Sequence, residues 1–242
     1  MISTDWTRLG GDGPDAYVAV PDGPIAGAVV VVPEMFGVNP YSKRMCERLA
    51  NEGFVALTPD IYWRQGRLHE LGYDEDSRQE AFRLMKTLSR DEVLADLSAA
   101  RAEALARAGG AARSAILGFS LGGHMAVLAA TAYAFDVVAV FYPGWTLHGG
   151  IPLAEPRPPL DDAPLLAANG TYVLGFNGAE DHLISAEEWS DIGTRLTEAE
   201  VAHELVSYPG VGHGFFCDDR PATYVPEAAH DAWPRLLAAL SG

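Results

Sequence analysis

The sequence has only two cysteines, Cys46 and Cys217, in 242 residues. Two thiols make no disulfide framework, so a reducing, cytoplasmic setting is expected. No apolar run approaches the roughly 20 residues needed to cross a bilayer. Met1–Trp6 has neither a basic segment nor an apolar stretch, so no secretory leader is expected. Positive charge is scarce, with 17 Lys and Arg against 33 Asp and Glu and a formal charge of −16. That balance excludes nucleic acid and anionic membrane surfaces as partners, because both are held by Lys/Arg patches. An anionic substrate would need specific local arginines to overcome the repulsive field. Metal-ligand spacings such as C-x-x-C or H-E-x-x-H are missing, as are a P-loop and a dinucleotide fingerprint, so neither a metal nor a cofactor is expected. Internal repeats and polar low-complexity linkers are absent too. The hydrophobic share of 48% suffices for a sizeable core, and one domain over residues 1–242 is expected.

Apolar runs alternate with helical periodicity along the chain. Tyr17–Val20 reads as an early strand, and Ala28–Val32 as a strand buried on both faces, since it is a continuous apolar run of β-branched valines after Ala28. A loop over Pro33–Pro40 leads into a helix of about a dozen residues, closed near Asn51-Glu52-Gly53. Phe54–Leu57 is the next strand, and Ile61–Tyr73 is irregular and aromatic. Helical periodicity runs from Glu75 to Ala108 with a break near Leu88-Ser89-Arg90. Strands follow at Ser114–Leu117, Val137–Tyr142, Tyr172–Phe176 and His203–Tyr208, with helices after Gly122, over Ser185–Glu198 and over Pro226–Leu240. Pro143–Gly170 reads as a long loop with little regular structure, of the kind that often serves as a binding loop. Strand–helix alternation implies right-handed crossovers and a mostly parallel sheet with helices on both faces. The fold class is α/β.

The chemistry centres on Gly118-Phe119-Ser120-Leu121-Gly122, a G-x-S-x-G between an apolar strand and a helix. A serine on that sharp turn is lifted above the end of the sheet, and the turn needs neighbours without bulk. A Ser hydroxyl is a poor nucleophile unless a base takes its proton and a third group orients the base. Loops just after strands form the rim where Ser120 would point. Asn177–His182 follows one strand and offers Asp181 as the acid, with Glu180 as the alternative. Gly210–Phe216 follows the last strand and offers His213, flanked by glycines, as the base. His203 opens a strand, His230 lies in the terminal helix, His124 is one turn into the helix after Ser120, and His182 adjoins the acid. An oxyanion would be held by backbone N–H groups, one from Leu121 and one from Met35 in the loop after the Ala28–Val32 strand.

These pieces together resemble the dienelactone hydrolase family over most of the chain. The matching segments are Pro33–Asn39, Gly53–Asp60, Gly118–Gly123, Gly178–Asp181 and Gly212–Phe215. The resemblance implies a compact α/β-hydrolase fold without a large cap domain, and cleavage of enol-lactones or other esters. It also implies that Glu34 belongs to the site, since the family places a Glu there beside a cysteine nucleophile. This chain has Ser120 instead, so Glu34 would meet the Ser hydroxyl or an arginine. The resemblance further implies two arginines for a substrate carboxylate. One matches Arg78; the other would fall at Cys217, four residues after His213, and is missing, with Arg220 as the nearby candidate substitute.

The resulting expectation is a serine hydrolase acting on a small-molecule ester or lactone, as a monomer or small homo-oligomer. The alternatives are a short-chain carboxylesterase or thioesterase, an acyltransferase, and a non-catalytic small-molecule-binding module.

Overall fold

The computed structural model describes residues 1–110 and 113–242. Strand β1 (Ile2–Arg8) pairs antiparallel with β2 (Asp15–Pro21), and β2 pairs antiparallel with β4 (Phe54–Pro59). The rest of the sheet is parallel: β3 (Gly27–Val32), β5 (Ser114–Phe119), β6 (Val137–Phe141), β7 (Tyr172–Gly178) and β8 (His203–Tyr208). The order across the eight-stranded sheet is β1-β2-β4-β3-β5-β6-β7-β8. Every residue of β3, β4, β5 and β6 is buried. That explains why they read as unbroken apolar runs: helices cover both faces, so no face needs polar residues.

Three of the helices start at a side chain that caps them. Asn39 accepts from Ser42 N–H ahead of α1 (Pro40–Asn51), whose first residue is a proline with its φ already fixed for a helix. Asp74 caps α2 (Glu75–Met85) through Ser77 N–H, and Ser89 precedes α3 (Arg90–Arg107). After β5 come α4 (Leu121–Ala132), the short α5 (Ala163–Ala168), α6 (Ala186–Glu198, capped by Ser185) and α7 (Pro226–Ser241). Arg48 of α1 lies 4.1 Å from the ring centroid of Trp233 of α7, which ties those two helices together on one face.

Two segments differ from expectation. Strand β1 is almost wholly exposed and polar, so it carries no apolar alternation to betray it; it is held by backbone pairing to β2. Pro143–Gly170 is less irregular than expected, holding 3₁₀ turns at Pro152–Ala154 and Pro159–Asp162 before α5. Three of the prolines that suggested loop, Pro152, Pro159 and Pro164, instead sit in the first turns of these short elements, where a missing N–H costs nothing.

The fold also creates a crevice. From β3 the chain crosses through α1 to β4 on one side; from β4 it returns through α2 and α3 to β5 on the other. Right-handed crossovers in opposite directions put these connections on opposite faces, so the loops leaving β3 and β5 part at their carboxyl ends.

Candidate active site

Ser120 sits in that crevice, between β5 and α4, with φ 52° and ψ −116°. A positive φ is costly for a residue with a side chain and persists only when its surroundings over-determine it. Ser120 N–H donates to the Phe141 carbonyl of β6 at 2.9 Å, and the Ser120 carbonyl accepts from Gly123 N–H at 2.9 Å. A Cβ on Gly118 would strike the backbone of Gly122, and one on Gly122 would strike the Val32 and Pro33 carbonyls. The glycines thus let α4 start directly against both its own strand and the end of β3.

Asp181 and His213 come to the same place from β7 and β8. His213 Nε2 lies 2.9 Å from Ser120 Oγ, and His213 Nδ1 lies 2.8 Å from Asp181 Oδ2. The other carboxylate oxygen of Asp181 accepts from Leu183 N–H at 2.8 Å and Ile184 N–H at 3.2 Å. With a carboxylate facing Nδ1, the imidazole carries its proton there, leaving the Nε2 lone pair to accept from the Ser hydroxyl. Both partners of the His213–Asp181 hydrogen bond are shielded, with side-chain exposures of 7% for His213 and 0% for Asp181. Backbone bonding joins the two loops: Glu180 N–H donates to the Val211 carbonyl, against which Gly178 also packs. Gly214, beside His213, adopts φ +82°, in the left-handed region that glycine enters without strain.

Leu121 and Met35 face the same cavity as Ser120. As the first residue of α4, Leu121 has an N–H with no carbonyl a turn earlier to accept it. Met35 lies in the loop after β3, and the aromatic segment after β4 braces it. The buried Tyr62 hydroxyl donates to the Met35 carbonyl at 3.0 Å, and Leu71 N–H donates to the Phe36 carbonyl at 3.0 Å. The Asp60 carboxylate in turn accepts from Tyr62 N–H and Leu68 N–H. The irregular Ile61–Tyr73 segment is therefore a scaffold for the Pro33–Val38 loop.

The cavity has a volume of about 220 Å³. Glu34 is 4% exposed and faces Arg220, whose Nη1 is 3.4 Å from both carboxylate oxygens. Of the two partners expected for Glu34, the arginine is the one it meets. Arg78 also lines the cavity, but its guanidinium bonds Glu75 at 2.6 Å in an exposed helical pair. Cys217 lies behind the wall, donating to the Tyr73 hydroxyl at 3.3 Å. Burial, reinforced by the Glu34 carboxylate, pushes its thiol up to about 12, so it is no competing nucleophile near neutrality. Among the described residues, no group of three or more His, Cys, Asp or Glu side chains could hold a metal ion.

Two features escaped sequence reading. Phe119, Phe141 and Phe176 are cross-strand neighbours at the ends of β5, β6 and β7, with ring centroids 5.2 and 4.6 Å apart. Phe216 packs against Phe141 with centroids 4.3 Å apart and the rings tilted by 37°, giving the reactive groups a stiff aromatic floor. An aromatic closing each apolar strand run was the available signal. The other is His124, fully buried in α4, whose Nδ1–H donates to the Trp145 carbonyl at 3.1 Å while Nε2 has no partner among the described residues. Trp145 lines the cavity at φ 58°, so this bond pins a strained pocket residue.

Burial, assisted by the Arg90 charge, lowers His124 to about 4 from an ordinary 6.5. A depressed histidine favours the native state fully above pH 6.5. As pH falls towards 4 the unfolded chain takes up a proton that the native protein refuses, and stability is lost. The loss sums to about 3 kcal/mol. Urea midpoints measured between pH 7 and 4.5 should fall more steeply for the native sequence than for His124→Gln; parallel curves would contradict this.

An eight-stranded, mostly parallel sheet with a serine elbow between β5 and α4 is the α/β-hydrolase type of fold. The sequence matches the dienelactone hydrolase family over residues 15–241. A relative in Synechocystis sp., named "Putative carboxymethylenebutenolidase", is 36% identical over 209 residues, spanning 86% of this chain and 82% of that one. A relative of the same name in Escherichia coli K12 is 34% identical over 230 residues, spanning 94% and 82%. The crystal structure of a protein from Klebsiella pneumoniae titled "Putative Dienelactone Hydrolase" superposes with a TM-score of 0.85 at 34% identity, covering 100% of this chain and 99% of that one. The chain belongs to the dienelactone hydrolase family, and it is a hydrolase. No helix among the described residues is long and apolar enough to cross a membrane.

Proposed function

We propose that the protein hydrolyses a carboxylic ester or lactone of a small molecule through an acyl-enzyme on Ser120. The observation that carries this reading is the unbroken chain Asp181–His213–Ser120, with bonds of 2.8 and 2.9 Å ending on a serine held in a strained turn. Ser120 Oγ attacks the carbonyl carbon as His213 Nε2 takes its proton. The Leu121 and Met35 N–H groups receive the developing oxyanion, and Asp181 steadies the imidazolium. Collapse expels the alcohol oxygen, which leaves with the proton from His213. Water then gives a proton to His213 and attacks the acyl carbon, and Ser120 recovers its hydrogen as the acid departs. In a lactone the alcohol and acid remain in one molecule. Glu34, with Arg220, and Arg78 are the polar substrate-facing groups of this reading. The names of the carboxymethylenebutenolidase relatives support an enol-lactone as one such substrate.

A fluorophosphonate should modify the native protein stoichiometrically, with loss of fluoride. The adduct should map to Ser120, and ester turnover should vanish in step. A protein left unmodified, or modified equally after Ser120→Ala, would overturn the assignment.

A further inference from the structure

The described residues include seven large hydrophobic side chains that stand exposed, and two of them, Phe82 at 40% and Leu183 at 43%, line the cavity that holds Ser120. Scattered single exposures need no explanation; two converging on one cavity do. They arrive from separate parts of the chain, Phe82 from α2 and Leu183 from the loop between β7 and α6. Both are presented on fixed backbone. Leu183 N–H is bonded to the Asp181 carboxylate, and α2 is anchored by buried Ala81, Leu84 and Met85. Trp145, pinned through His124, and Phe36 add further apolar wall. The enclosed volume of about 220 Å³ is below the roughly 300 Å³ at which ligand pockets usually begin. A substrate larger than a small ester must therefore extend past the rim.

Resting on the hydrolase reading above, we infer that the substrate carries an apolar arm of several carbons or a ring, which leaves the cavity over Phe82 and Leu183. These two side chains then set the preference for substrate length. Withdrawing apolar surface from water on both sides makes each added methylene favourable, by about fourfold in kcat/KM where contact is complete.

Two ester series test this. In one the acyl group lengthens from acetate to hexanoate on a fixed p-nitrophenol; in the other the alcohol lengthens on a fixed acetyl group. The native protein should prefer the longer member in at least one series. Phe82→Ser and Leu183→Ser should each lower that long-to-short ratio of kcat/KM by about fivefold, and the double variant by tenfold or more. Leu165→Ser, at a side chain 47% exposed on α5 and outside the cavity, should leave the ratio as it was. Ratios unaffected by Phe82→Ser and Leu183→Ser in both series, with short esters still turned over, would overturn the apolar arm and leave the hydrolase reading standing. No turnover of any ester by the native protein would overturn both.

Discussion

Ser120→Ala should lower ester turnover by about 10⁶-fold, a magnitude typical of removing a nucleophile whose partners cannot act without it. The substitution removes one oxygen and leaves everything else in place. Alanine must adopt the same φ of 52°, and the backbone bonds that impose it, from Ser120 N–H to Phe141 and from Gly123 N–H to Ser120, use no side-chain atom. His213 loses its partner on Nε2 but keeps Asp181 on Nδ1, so the imidazole stays oriented. Since His213 borders the cavity, a water can occupy the vacated position. Stability should change by no more than about 1 kcal/mol. Rates on a p-nitrophenyl ester, corrected for spontaneous hydrolysis and read beside a thermal melt, check both halves. Turnover persisting within tenfold of the native rate in a folded variant would remove Ser120 from the mechanism.

The elements of this site that were legible in the sequence share a physical cause. Ser120, Asp181 and His213 fall one, three and five residues after β5, β7 and β8, so the parallel sheet brings all three to one rim and short loops do the rest. Glycines marked the same positions because backbone passes close to backbone there, as at Gly118 and Gly122, or because φ must be positive, as at Gly214. What could not be read depends on side chains that meet across long sequence separations. The Arg220–Glu34 pair spans 186 residues, and Tyr62 reaches Met35 from a segment with no periodicity. Arg78 shows the ambiguity in small. Its helical position offers both the cavity and Glu75, and nothing in the local pattern says which contact forms. Strand β1 was missed for a related reason: backbone pairing holds it, and that leaves little trace in side-chain composition.

Gly122→Ala should be more damaging to the fold than the loss of the reactive hydroxyl itself. The added methyl would meet the Val32 and Pro33 carbonyls at the end of β3, both of them backbone, with no flexible side chain to yield. Relief therefore requires α4 to retreat from β3, or the loop after β3 to lift. Ordinary overpacking of side chains costs about 1–3 kcal/mol, and a clash between backbones should exceed that. Against a total stability of about 5–15 kcal/mol the loss is substantial. The displacement also acts on chemistry, because Pro33 stands two residues from Met35 and Gly122 stands one from Leu121. Moving either element separates the two N–H groups proposed to share an oxyanion, and donors of this kind are worth about 10²–10³ each in rate. The variant should thus unfold at markedly lower denaturant, and whatever folded protein remains should be impaired on every ester regardless of length. Gly149→Ala, at an exposed glycine with nothing within 4 Å of the added carbon, is the matched control and should behave as the native protein does. If Gly122→Ala matched that control in denaturant midpoint and in rate, the close approach of α4 to the end of β3 would not be what shapes the site.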